Sequence, residues 1–120
     1  MKINNQQKEL LEKNEVVLAT VNKDGSPNAI IVAELRVVEP SKVVITDNFM
    51  EITNENIKKD PRVCLVVYSE DWREGYKFTG KAEYQTEGKW AEFVKQVEAN
   101  NGLPAKGAIV FEVERVYELA

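Results

Sequence analysis

No histidine occurs anywhere in the 120-residue chain, and that absence bounds what its side chains can do. Ser-His-Asp triads, Cys-His dyads and His-ligated metal sites are all excluded. The remaining acids and bases are carboxylates, lysines and tyrosines. Three carboxylates cluster in Ser69–Glu70–Asp71–Trp72–Arg73–Glu74, and the plainer reading of that segment is a solvated loop. Glu112 and Glu114 form either a carboxylate pair or the wet face of a strand. The single cysteine, Cys64, sits in the apolar run Val63–Cys64–Leu65–Val66–Val67 and can form no intrachain disulfide. It reads as a buried core thiol, because a reactive thiolate needs exposure and nearby positive charge. No catalytic side chain and no metal site is assigned.

One constellation is suited to binding. Thr53 to Asn56 follows a strand and a loop and opens a short helix. A helix start presents free N–H groups and partial positive charge, and the Thr hydroxyl adds a donor for an anion. The same residue also reads as a simple N-cap, worth ~1 kcal/mol to the helix.

These residues must be held by a mainly β framework. A helix is expected over Asn4–Lys13, with Asn4 and Gln7 spaced for a capping box and Leu10 and Leu11 facing the body. Strands are expected over Val16–Asn22, Asn28–Val38, Val43–Asp47, Arg62–Ser69, Tyr76–Gln85 and Lys106–Leu119. Asp24–Gly25 marks a hairpin between the first two, since Gly tolerates positive φ. A helix over Asn54–Lys59 is stopped by Asp60–Pro61, because a residue before Pro avoids the helical region. Gly80, inside a strand, points to a bulge or a close backbone approach. A third, amphipathic helix is expected over Lys89–Asn100, with Trp90, Phe93, Val94 and Val97 on one side and a stop at Asn101–Gly102–Leu103–Pro104. In the last strand, Val110, Glu112, Glu114 and Val116 should face one way, and Phe111, Val113 and Arg115 the other. Short turns join the early strands, so the six strands should be largely antiparallel and close into a small barrel.

Composition narrows the setting. The length fits one domain, residues 1–120. With 16 basic and 20 acidic residues the net charge is −4, which argues against a nucleic-acid binder. The polar start of the chain lacks the apolar core of a signal peptide, and no apolar run approaches the ~20 residues of a membrane span. The expected location is the cytoplasm.

The order of these pieces resembles the pyridoxamine 5'-phosphate oxidase-like family of FMN-binding split barrels, in particular its small FMN-binding proteins. The resemblance rests on Leu18–Ala19–Thr20–Val21 with Asp24–Gly25–Ser26–Pro27, on Val43–Val44–Ile45–Thr46–Asp47, and on Thr53 with Asn56–Ile57. It continues through Asp60–Pro61–Arg62–Val63 and Gly75–Tyr76–Lys77–Phe78–Thr79–Gly80–Lys81–Ala82. It implies a six-stranded antiparallel split β-barrel with short flanking helices, forming a homodimer with FMN in grooves between the subunits. Ala29, Ile30 and Ile31 would run along the flavin ring, and Thr46, Asp47 and Asn48 would flank the ring and ribityl chain. Thr53 would hold the phosphate, while the partner subunit would add its Trp72 loop and Leu119. Ile52 stands where the family usually carries a basic residue, so a charge-assisted bond is missing there. Lys58, Lys59, Arg62, or Arg73 or Lys77 of the partner subunit, are candidates to replace it.

The resemblance implies a flavoprotein in electron transfer, or an oxidoreductase acting on a small molecule. The absence of histidine fits, since a flavin carries its own redox chemistry. Pyridoxamine-phosphate oxidation itself is not expected, because 120 residues leave little room for further substrate-phosphate ligands. The alternatives are a non-catalytic module that stores or senses a flavin or deazaflavin, and a structural dimer with an empty groove.

Overall fold

The computed structural model describes residues 2–97, 100 and 102–120. Its elements run α1 (Asn5–Lys13), β1 (Val16–Val21), β2 (Pro27–Val32), β3 (Leu35–Glu39), β4 (Lys42–Asp47), α2 (Ile52–Lys59), β5 (Arg62–Tyr68), β6 (Gly75–Gln85), α3 (Lys89–Lys95) and β7 (Gly107–Glu118). The seven strands form one antiparallel sheet in the order β2-β1-β5-β6-β7-β4-β3. No helix among the described residues is long and apolar enough to cross a membrane.

The strand count corrects the expected six. The segment Asn28–Val38 is two strands, broken at Ala33–Glu34, because its inward-facing phase slips there. Val32 is buried and so is Leu35, three residues on, so alternation cannot continue unbroken. The break has a large consequence, because β2 and β3 lie at opposite ends of the sheet. Laid flat, six strand spacings of ~4.8 Å would separate them by about 29 Å. Three residue steps from Val32 to Leu35 reach at most about 11 Å. The sheet therefore has to curl into a barrel. β3 pairs with β4 through Leu35 opposite Ile45, and the Thr46 N–H donates to the Glu34 carbonyl at 3.0 Å. Beyond that bond β2 follows β1 instead, and the barrel is split between β2 and the end of β4.

The barrel is filled by Leu18, Val43, Ile45, Leu65, Phe78, Ile109 and Phe111, with Leu10 and Leu11 of α1 and Ile57 of α2 packed against them. The capping box of α1 is present: Gln7 N–H donates to Asn4 Oδ1 at 2.8 Å, and Asn4 N–H to Gln7 Oε1 at 3.0 Å. The β1–β2 hairpin turns at Gly25, whose φ is +88°. A smaller cluster on the outer face of the sheet joins Val44 and Ala108 to Val94 and Ala105, with Trp90 and Phe93 alongside.

Gly80 fulfils both expectations made of it. The β6–β7 register shifts between Thr79 and Gly80, and a Cβ at Gly80 would collide with the Glu112 carbonyl oxygen. The extra residue is Glu114, and it reverses the expected alternation of β7: Val116 turns toward the core beyond it. Cys64 also departs from expectation. Val63 and Leu65 take the inward positions of β5, which leaves Cys64 half-buried on the outward face. Burial still pushes its thiol up from the ordinary value, against a weaker opposite effect of Lys77. The third helix ends at Lys95 rather than Asn100, and the Asn100 side chain instead pairs with Asn48. Glu98 and Ala99, inside the expected helix, and Asn101, in its expected stop, lie outside the described residues.

Candidate functional site

The split opens a groove of about 460 Å³, within the ~300–1,000 Å³ usual for small-molecule sites. Asn28, Ile30 and Ile31 of β2 form one wall, and Ala33 the bend. Thr46 and the Asn48–Thr53 segment form the other wall, and Leu103 closes over one side. The mouth is apolar: Ile31, Phe49 and Ile52 are 60%, 69% and 61% exposed. Glu51 is the one charged side chain among the described lining residues.

Local chemistry holds each wall. Asp47 is fully buried behind the loop. One of its carboxylate oxygens accepts from the Met50 N–H at 2.7 Å, and the other from the Tyr84 hydroxyl at 2.6 Å. The loop turns back on itself around that carboxylate. The Lys106 N–H donates to the Asp47 carbonyl at 2.8 Å, and the Lys106 ammonium donates to the Met50 carbonyl. Asn48 and Asn100 exchange amide hydrogen bonds at 2.8 and 2.9 Å. No buried side-chain polar atom among the described residues lacks a hydrogen-bond partner. That satisfaction matters, because an unpaired buried donor costs about 1–3 kcal/mol.

The start of α2 is fixed from below. Its N-cap is Glu51, which makes no side-chain cap bond, and Ile52 and Thr53 are the first helical residues. Thr53 is thus inside the helix rather than its cap. It is 2% exposed, and its hydroxyl accepts from the Asn28 amide at 3.2 Å. The same amide donates to Thr20 at 3.2 Å. The Asn56 amide donates to Thr20 at 3.0 Å and to Asn22 at 2.9 Å. With Asn28 donating to its oxygen, the Thr53 hydroxyl keeps its own proton to give. The first-turn N–H groups of α2 lie at the same end of the groove, as any helix start leaves them.

Of the nine residues singled out in the sequence, Ile30, Ile31, Thr46, Asn48, Ile52 and Thr53 come together in this groove. Ala29 is exposed on β2 outside its lining, and Asp47 lies behind the wall. Trp72 lines a separate depression with Val17, Val66 and Tyr68, and Ile31 borders both. Trp72 is 71% exposed, has φ +65°, and packs against Tyr68 at a tilt, with ring centroids 5.2 Å apart. Asn28, Phe49, Met50 and Leu103 are site residues that the sequence reading did not name. Asn28 carried a signal, as an amide on an inward position of an otherwise apolar strand. Phe49 and Met50 carried a weaker one, as neighbouring apolar residues in a loop.

The barrel and its groove belong to a known class. The family model for pyridoxamine 5'-phosphate oxidase matches residues 3–120, and the chain belongs to that family. An uncharacterised protein of Methanocaldococcus jannaschii is 35% identical over 114 residues, covering 91% of this chain and 75% of that protein. The crystal structure of HupZ from Group A Streptococcus superposes with a TM-score of 0.89 at 27% identity, over 98% of this chain and 94% of that one. An FMN-binding protein from Syntrophomonas wolfei has the same fold, with a TM-score of 0.78 at 15% identity, over 94% of this chain and 83% of that one.

The Asp47–Tyr84 pair makes a testable claim. Burial, and then the bond to Asp47, push the Tyr84 hydroxyl from 10.0 up to about 12. Between those values the unfolded chain has lost a proton that the folded chain keeps, so stability falls as pH rises. The contribution is complete below pH 10 and is lost as pH passes about 12. In thermal melts across that range, Tyr84→Phe should fall off less steeply than wild type. Identical slopes would show that neither burial nor the bond to Asp47 raises the Tyr84 hydroxyl.

Proposed function

We propose that the protein is a homodimeric flavoprotein that binds FMN non-covalently in the split of its barrel. It would serve electron transfer, or oxidation and reduction of a small molecule. The observation that carries the reading is the groove itself: an apolar slot beside an open-ended strand, with hydroxyl and N–H donors gathered at one end. Its size and apolar walls suit a flavin ring, and Thr53 with the start of α2 suits a phosphate. When bound, the flavin would supply the redox chemistry, so a chain without histidine needs no catalytic side chain of its own. The chain's part is to bind and orient. Ile30 and Ile31 offer an apolar edge for the ring. Asp47, through the Met50 N–H, keeps the opposite wall in place. Leu103 and Phe49 restrict water at the mouth.

The dimer rests on a second observation. Ile31 and Trp72 stand exposed on one outward surface, continuous with Val17, Val66 and Tyr68. Trp72 is held there in the left-handed region, a conformation that costs of order 1–3 kcal/mol and persists where its surroundings fix it. The loop does fix it: Trp72 N–H donates to the Ser69 carbonyl at 3.0 Å, and the Asp71 carboxylate accepts from the Ser69 hydroxyl at 2.7 Å. A second copy of the chain would cover this face and stand next to the groove through Ile31. Light scattering should give twice the 13.6 kDa chain mass; a monomer at micromolar concentration would remove the shared-site arrangement.

Thr53→Val keeps the shape of the side chain and removes the hydroxyl. FMN should bind about tenfold more weakly, the scale of one lost hydrogen bond, while riboflavin should be unaffected. An equal loss for both ligands would mean that Thr53 acts through folding alone. No binding of either ligand to wild type would end the flavin reading.

A further inference from the structure

Every described lining residue of the groove lies between Asn28 and Thr53 except Leu103, which arrives from the segment before β7. Leu103 is 41% exposed and belongs to neither apolar cluster of the barrel. Core packing does not place it, and it keeps surface for a ligand to cover.

Hydrogen bonds place it instead. The Leu103 N–H donates to the Asn100 carbonyl at 3.1 Å, and the Asn100 amide donates to the Leu103 carbonyl at 3.1 Å. Gly102, at φ +71°, lets the chain reverse between the two. This turn is pinned to the groove wall by the paired amides of Asn48 and Asn100, both buried. The pairing has one orientation. The Leu103 carbonyl can only accept, so the nitrogen end of the Asn100 amide faces it. Both N–H groups of that amide are then spent, one on Leu103 and one on Asn48. Downstream, the Lys106 N–H donates to the Asp47 carbonyl at 2.8 Å, and Ala105 is buried in the cluster that holds Val44. Leu103 thus lies between two anchors, set on the successive residues Asp47 and Asn48.

We propose that Asn100 is a positioning residue for the ligand: it holds Leu103 against the molecule that fills the groove, and the Asn48 carboxamide serves that pairing rather than the ligand. The inference rests on the flavin reading above and deepens it, since it makes Leu103 a contact that slows the release of a bound flavin.

Release of riboflavin, followed by the change in flavin fluorescence after dilution, tests it. Leu103→Ala should speed release about fivefold, the scale of losing part of a leucine contact. Asn100→Ala should do the same, because Leu103 is then present but no longer held. The double variant should again release about fivefold faster, not about 25-fold, since both changes remove one contact. An Asn100 that acts on stability alone would leave release unchanged, or would multiply the effect of Leu103→Ala, and either result would overturn the proposal. So would an unchanged rate in Leu103→Ala. Should Asn100→Ala not fold, wild type carries the test. Riboflavin should shift the Leu103 methyl resonances, and the Asn48 and Asn100 side-chain amide protons should exchange slowly with water in the free and the bound protein. Rapid exchange of those amides, or unmoved Leu103 methyls, would refute the positioning role while the flavin reading stands. If wild type binds no riboflavin at all, the flavin reading fails and this inference falls with it.

Discussion

The short reach of the Ala33–Glu34 link governs the rest of the molecule. It joins the two ends of a seven-stranded sheet, and only a curled sheet brings those ends close enough. The curl encloses Phe78, Phe111, Leu18 and Ile45 in one core. The link also decides where the barrel stays open. From Glu34 onward the chain hydrogen-bonds along β4; before the bend it belongs to β1. The β2 edge that turns away from β4 carries half-buried Ile30 and exposed Ile31, and the groove is the space left behind. The cavity is thus a consequence of closing the sheet with one bent strand.

An open edge of this kind is a liability unless its surroundings are fixed, and here polar side chains fix them. Asp47 holds the β4–α2 loop from behind, and Asn48 with Asn100 holds it from the side. On the opposite wall Asn28, Thr20, Asn56 and Asn22 join β2, β1 and α2 into one hydrogen-bonded unit. Buried polar networks are costly when half satisfied and specifying when complete. This one leaves no buried side-chain polar atom unpaired among the described residues. Its effect is to set the start of α2, the β1–β2 hairpin and the floor of the groove at fixed positions relative to one another.

Much of this was legible in the sequence, and what was missed has physical causes. The capping box of α1, the Asp24–Gly25 turn and the close approach at Gly80 are local signals, and each appears in the structure. The family, and with it the split barrel, was readable from the order of motifs along the chain. The break in Asn28–Val38 was present as a slip in phase between Val32 and Leu35, but both halves are β-branched and apolar, so propensity alone runs through it. Side-chain partnerships across long separations left no local trace. Nothing near Asp47 announces Tyr84, and Asn48 carries no sign of Asn100. Cys64 was placed in the core because its neighbours are apolar. A sheet packed on one face and apolar on the other gives the same run, and only the topology assigns the faces.

The central claim is that the split beside β2, and no other depression, holds the flavin ring. Backbone amide chemical shifts recorded while riboflavin is added test it most directly, since riboflavin carries the ring without the phosphate. The account predicts perturbations concentrated at residues 28–33 and 46–53. Shifts centred instead on Tyr68 and Trp72, or no shifts at saturating ligand, would contradict it.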